Sequence, residues 1–149
     1  RSKIEITKDV HMGLIGHITM AELLRKNQKK CKVILENDAF HLVCNKKTIK
    51  VKTSLATTEP CPSKHIRAFS IIGHKTSGET IFDYYAQIVF CSAPVIENDK
   101  EFKISMFFVG FVNKSQLTET KIFSKHDYKS ARISNSKDLN KLLEDLGDK

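Results

Sequence analysis

In the stretch "NKKTIKVKTS", Ile49 and Val51 alternate with Lys50 and Lys52, the two-residue period of a strand with one wetted face. The residues before it, "CKVILENDAFHLVC", mix β-branched and apolar side chains. Together they predict strands over 31–36, 39–44 and 48–53, with turns at "END" and "NKK". "LATTEPCPSK" holds two prolines that cannot donate to a ladder, and reads as a loop. "HIRAFSIIG" and "TIFDYYAQIVFCSA" are rich in aromatic and β-branched residues and predict strands over 66–72 and 80–92, separated by the turn "HKTSGE". A turn at "PVIENDKE" leads into "FKISMFFVGFV", a nearly unbroken apolar run suited to the middle of a sheet. "LTETKIFS" adds one more strand.

Helical spacing shows at both ends. In "GHITMAELLRKNQKK", Thr19 followed three residues later by Glu22 is a capping signature, and it predicts a short helix over 20–29 after an extended opening. In "SNSKDLNKLLEDLG", Leu139, Leu142, Leu143 and Leu146 fall on one helical face, with Ser136 as the expected cap and Gly147 just past the end. Seven or eight strands with a helix near each terminus predict a mostly β chain, a sandwich or small barrel. Its length and absence of repeats or composition breaks point to one domain, 1–149. The missing initial Met suggests a piece of a longer protein. No apolar run reaches the roughly 18 residues of a membrane span.

Charge changes this picture more than composition does. The formal net charge is +8, which makes nucleic acid, an acidic membrane surface or an acidic protein the natural partner. Residues 25–52 hold nine Lys and Arg against Glu36 and Asp38, and residues 121–137 hold five against Asp127. The basicity is therefore gathered in two separate segments. Of the cysteines, Cys31, Cys44 and Cys91 sit in or beside apolar runs, where a reduced thiol behaves as a small hydrophobe. That favours a reducing compartment, with two disulfides in a secreted protein as the alternative; the sequon Asn113-Lys114-Ser115 does not decide between them. Cysteine and histidine spacings match no zinc motif.

Nothing in the chain has the pattern of catalysis. Its six histidines are scattered, and Cys61 between two prolines reads as a packed loop cysteine. Neither a cofactor nor a metal is expected. Lysines at turns and on strand faces can instead neutralise phosphates, with Ser, Asn and Tyr adding phosphate hydrogen bonds. The same lysines would also serve to keep strand edges from pairing.

The order of elements in "ITMAELLRKNQKKCKVIL", the basic hairpin after it and the proline-cysteine turn into "HIRAFSIIG" resembles the Rel-homology-like N-terminal domain of CSL transcription factors, the DNA-binding effectors of Notch signalling. "IFDYYAQIVFCSAPVIENDKEFKISMFFVG" and "FSKHDYKSARISN" are similar to later stretches of that domain, Ser124, Lys125 and Lys129 matching its basic segment. The family's major-groove loop has no counterpart here. The resemblance implies an immunoglobulin-like (Rel/p53-like) sandwich, a transcription regulator in the nucleus that binds duplex DNA through loops and meets protein co-regulators. On that reading Lys46, Lys47, Lys50, Lys52, Lys125, Lys129 and Lys137 would anchor phosphates, and Arg67 and Arg132 would reach base edges, Arg presenting a planar fork where Lys is a point charge. Residues 45–53 and 125–137, the latter as the loop before the last helix, are the expected contact surfaces. The alternative is a pleckstrin-homology or phosphotyrosine-binding barrel, cytoplasmic and close to a membrane, its C-terminal helix plugging one end. There the lysines would meet a phosphoinositide or an acidic peptide.

Overall fold

The computed structural model describes residues 3–36, 39–55, 70–75, 80–90, 95–98, 101–103, 106–122, 126–132 and 136–147. Helix α1 (Lys3–Lys26) is followed by β1 (Cys31–Glu36), β2 (Ala39–Cys44), β3 (Lys47–Leu55), β4 (Ser70–Lys75), β5 (Tyr84–Phe90), β6 (Val95–Asn98), β7 (Glu101–Lys103) and β8 (Met106–Asn113). A 3-10 turn (Lys114–Gln116), β9 (Thr118–Ile122), β10 (His126–Arg132) and helix α2 (Leu139–Leu146) complete the order. The chain is mostly β, with a helix toward each end, as its patterning predicts.

Five strands form a mixed sheet in the order β1-β2-β3-β5-β8, in which β3 and β5 run parallel and the other neighbours antiparallel. Alternation splits its side chains into two cores. On one face Leu42, Cys44, Ile49, Val51, Ala86, Ile88 and Phe111 pack against Met20, Ala21 and Leu24 of α1 and Leu142 and Leu146 of α2. On the other, Tyr85 and Val112 pack against Ile71 of β4, Ala131 of β10 and Leu117. Those two strands belong to a three-stranded sheet, β4-β10-β9. The described residues therefore stack as helices, mixed sheet and small sheet.

The sequence misplaces several features; the apolar run of β8, expected in the middle of a sheet, is the last strand of the mixed one. Helix α1 begins at Lys3, not near residue 20, and ends at Lys26. Thr19, expected to cap it, lies inside and returns its hydroxyl to the Ile15 carbonyl at 2.7 Å, the alternative partner a mid-helix threonine finds. The helix closes where Gln28, at φ 70°, takes the left-handed position: its N–H reaches Arg25 O and that of Lys29 reaches Leu24 O, both at 3.0 Å. Asp138, not Ser136, caps α2, accepting from Lys141 N at 3.0 Å, while Gly147 ends it as expected. Residues 126–132, read as loop, form β10, the middle strand of the small sheet. Ladders on both sides pair its backbone, so a polar sequence suffices; of its described side chains, Ala131 is buried. Finally, "PVIENDKE" holds the short hairpin β6–β7.

Two close contacts set α1 on the sheet. A Cβ on Gly16 would stand 2.1 Å from Thr53 Oγ1, so glycine lets the helix approach β3. One residue on, His17 is 1% exposed and bridges the layers. Its Nδ1 donates to Gly13 O at 2.6 Å and its Nε2 accepts from Val51 N at 3.2 Å. The neutral ring protonated on Nδ1 satisfies both contacts, and burial, foremost, lowers its pKa to about 4, with Lys50, His41 and Lys52 adding repulsion against the Gly13 hydrogen bond.

Candidate functional site

Pairing of β1 with β2 sets Cys31 opposite Cys44, their Cα atoms 4.2 Å apart and their sulfurs joined in a disulfide. The expectation of reduced thiols is corrected for this pair; Cys61 and Cys91 lie outside the described residues. The signal was present in the sequence: strands at 31–36 and 39–44 folded about a two-residue turn bring residue 31 to residue 44.

Next to the disulfide, Asn45 and Lys46 turn the chain from β2 to β3 with φ of 50° and 69°, the sign at both central positions that a two-residue type I′ turn requires. Asparagine tolerates that conformation and lysine is strained in it. Asn45 also ties the turn to the end of α1: its N–H reaches Lys30 O and its Oδ1 accepts from Lys30 N, both at 3.1 Å. Through this bond pair and the disulfide, the end of α1, the start of β1 and the β2–β3 turn become one end of the molecule.

Helix α2 delivers its C-terminus to the same end. Lys29 Nζ donates to Gly147 O at 2.6 Å, Asn45 Nδ2 donates to Gly147 O at 2.8 Å, and Lys47 Nζ donates to Asp145 O. Two ammonium groups and an amide thus satisfy carbonyls that a helix end leaves unpaired, and the cations meet the negative end of its dipole. Lys47, expected as a phosphate anchor, serves as a helix cap here. Arg25 is likewise engaged, donating to Cys31 O at 3.0 Å and to Glu22 at 3.1 Å. Around these committed side chains stand Lys26, Lys30, Lys32 and Lys46, all exposed. Among the described residues, none of the four has an ion-pair partner. Lys26, Lys30 and Lys32 were missed as site residues because their strand and helix-end positions meet Lys46 only through the hairpin register.

The other expected contacts are dispersed. Lys50 and Lys52 are half-buried on β3 and alternate with Ile49 and Val51, so they point away from α1. Lys50 Nζ reaches Phe40 O where the β2–β3 ladder opens beyond the pair Leu42–Ile49; the Val51 N–H freed there is the one His17 accepts. His41, 8% exposed, packs on Phe82 with ring centres 5.1 Å apart. Lys129 is half-buried on β10 opposite Glu119, and Arg132 is exposed beside Ser70. Lys137 is exposed while its backbone bridges Phe111 with two hydrogen bonds of 3.0 Å. Arg67 and Lys125 lie outside the described residues. The small sheet packs on the face toward which Lys50 and Lys52 point, so these lysines and β10 share a side of the mixed sheet, while Lys46 stands at its end.

Beside the cationic end, Lys47, Asp83, Tyr84, Asn113, Lys114 and Ser115 line an open cleft of about 270 Å³. Asp83 is a clip between β3 and β5. Its Oδ2 accepts from Thr48 N at 2.9 Å, and its own N–H reaches Thr48 Oγ1 at 2.9 Å. The Thr48 N–H holds its carboxyl below the usual carboxylate range, with help from Lys114. Among the described residues no three His, Cys, Asp or Glu side chains converge as metal ligands, and no helix is long and apolar enough to cross a membrane. Comparison with protein-family models, curated proteins and solved structures finds no match for this chain.

Proposed function

We propose that the chain is a non-enzymatic module that binds an extended polyanion through its cationic end. The observation that carries this reading is the group of four exposed lysines, Lys26, Lys30, Lys32 and Lys46, gathered from three chain segments with no ion-pair partner among the described residues. Like charges collected at one end raise one another's potential, and a ligand with spaced anionic groups relieves that repulsion by releasing its own counterions. Lys50, Lys52, Lys129, Arg132 and Lys137 form a second, more dispersed set on this reading. Duplex DNA, the partner expected from the sequence, and a sulfated polysaccharide present the same chemistry. Disulfides persist in oxidising compartments, so the Cys31–Cys44 bond favours the polysaccharide and a secretory setting over the nucleus. The finer fold reading stays a Rel-like sandwich, supported by two sheets that share the core of Tyr85, Val112, Ile71 and Ala131.

Titrating the chain with labelled duplex DNA, heparin-like polysaccharide and anionic liposomes, each at roughly 50 and 200 mM salt, tests this. Four lysine contacts give a log–log salt slope of about −3 to −4 on duplex. Tight, steeply salt-dependent binding to the polysaccharide and to DNA supports the proposal. Binding confined to liposomes moves it to the acidic-lipid alternative, and no binding to any of the three overturns it.

A further inference from the structure

We infer that Asn113 is a site of N-linked glycosylation, attached as the chain passes through an oxidising secretory compartment. This rests on the disulfide and on local geometry, and is independent of polyanion binding. Asn113-Lys114-Ser115 is the chain's one Asn-x-Ser/Thr pattern, and such a pattern marks an acceptor where it lies on the surface of a secreted protein. Both conditions have support on separate grounds. The Cys31–Cys44 disulfide belongs to a compartment of that kind. Asn113 ends β8 in an extended conformation, φ −87° and ψ 165°, at the lip of the open cleft, followed by exposed Lys114 and Ser115.

In the folded chain the carboxamide keeps the local contact that the pattern demands. Its Oδ1 accepts from Ser115 N at 3.0 Å and from the Ser115 hydroxyl, while Gln116 Oε1 accepts from Asn113 N at 3.0 Å. Among the described residues nothing engages Asn113 Nδ2. The second donor is the hydroxyl two residues on that the pattern demands. Because both donors lie within two residues of Asn113, the same contact is open to the unfolded segment that the transfer meets, where donors on Oδ1 draw charge toward the oxygen and make the Nδ2 protons more acidic. In the transfer, Nδ2 bonds to the anomeric carbon of the first N-acetylhexosamine of a polyprenyl-pyrophosphate oligosaccharide. The bond from that carbon to the pyrophosphate oxygen breaks, the pyrophosphate leaves with the electron pair, and Nδ2 gives up one proton to solvent. In the folded chain the sugar would stand over the cleft beside the half-buried ring of Tyr84.

The test is to express the full chain behind a secretion signal in a eukaryotic host and map the peptide containing Asn113 by mass, before and after peptide-N-glycosidase. Transfer precedes folding and export, so chain retained in the cell is read in the same way as chain in the medium. The inference expects a glycan on Asn113, a mobility shift that the glycosidase abolishes, loss of the shift in N113Q and S115A, and its return in S115T. A non-reducing peptide map of the same wild-type sample reads the Cys31–Cys44 bond. An unmodified Asn113 in wild-type chain carrying that bond, or a shift that survives in N113Q, overturns the inference.

Discussion

Residues 45–53 hold four lysines and residues 126–137 hold two lysines and an arginine, and the fold treats the two segments differently. The first segment starts in a turn that is held by a disulfide, by the Asn45–Lys30 bond pair and by the C-terminus of α2. The second includes the middle strand β10, paired with β4 and β9, whose Ala131 joins a core. The difference shows that a basic residue's role follows from what its neighbours leave unsatisfied. Lys47 and Lys29 find helix carbonyls and become caps; Lys46, one residue from Lys47, finds no such group among the described residues and is exposed.

The most severe way to break this contrast is to remove the packing that brings α2 to the hairpin. Leu146→Ala, at a residue 2% exposed, is expected to cost about 2–5 kcal/mol in urea unfolding. Amide exchange should then rise across 44–49 well before it rises across 126–132. Equal acceleration of both segments would show that the hairpin does not depend on α2.

Acid acts on the first region through His17. Its pKa is about 4 in the folded chain, against about 6.5 unfolded. Above pH 6.5 the ring is neutral in both states and its contribution is fully present. As pH falls from 6.5 toward 4 the unfolded chain takes up a proton that the folded chain refuses, and about 3 kcal/mol is lost. His17→Gln should flatten that part of the urea-midpoint profile; the His41 pKa, also lowered by burial, leaves a smaller slope of the same sign. A variant with the wild-type slope would remove His17 from the account.

Opening the disulfide, by Cys31→Ser with Cys44→Ser, should cost about 3 kcal/mol for a closed loop of this length, 13 residues apart in sequence. It should also weaken polyanion binding, because Lys30 and Lys46 lose one of the links that hold them together. A milder change sits outside both segments: Asp138→Ala removes the cap of α2 and should cost about 1 kcal/mol. Smallest of all, Lys46→Gly relieves a lysine at φ 69° and should raise stability by up to about 1 kcal/mol while weakening binding. That opposition of signs separates Lys46 as a contact from Lys46 as a structural residue.

What the sequence made legible follows the range of each signal. Strands β1 and β2 fall at their expected boundaries because β-branched and apolar residues and the turn residues agree over a dozen positions. The leucines of α2 and the glycine after it read correctly for the same local reason. Thr19 and Glu22 misled because a capping pair looks the same inside a helix, where Thr19 bonds Ile15 O and Glu22 pairs with Arg25. Strand β10 escaped because a strand paired on both sides needs little apolar patterning. The parallel match of β3 with β5, Ile49 opposite Tyr84, has no local signature. Of the site, Lys46 was visible as a charge on a turn, while its grouping with Lys26, Lys30 and Lys32 required the register of a hairpin and the end of a helix.

The most direct test of the cationic end compares two charge reversals in one salt titration against heparin-like polysaccharide and duplex DNA. Lys26→Glu with Lys30→Glu and Lys46→Glu should abolish most of the binding and flatten the salt slope by about 3, whereas Lys129→Glu with Arg132→Glu should leave most of both. If the second variant loses as much affinity as the first, or if the triple reversal binds as the unmodified chain does, the cationic end is not the contact surface.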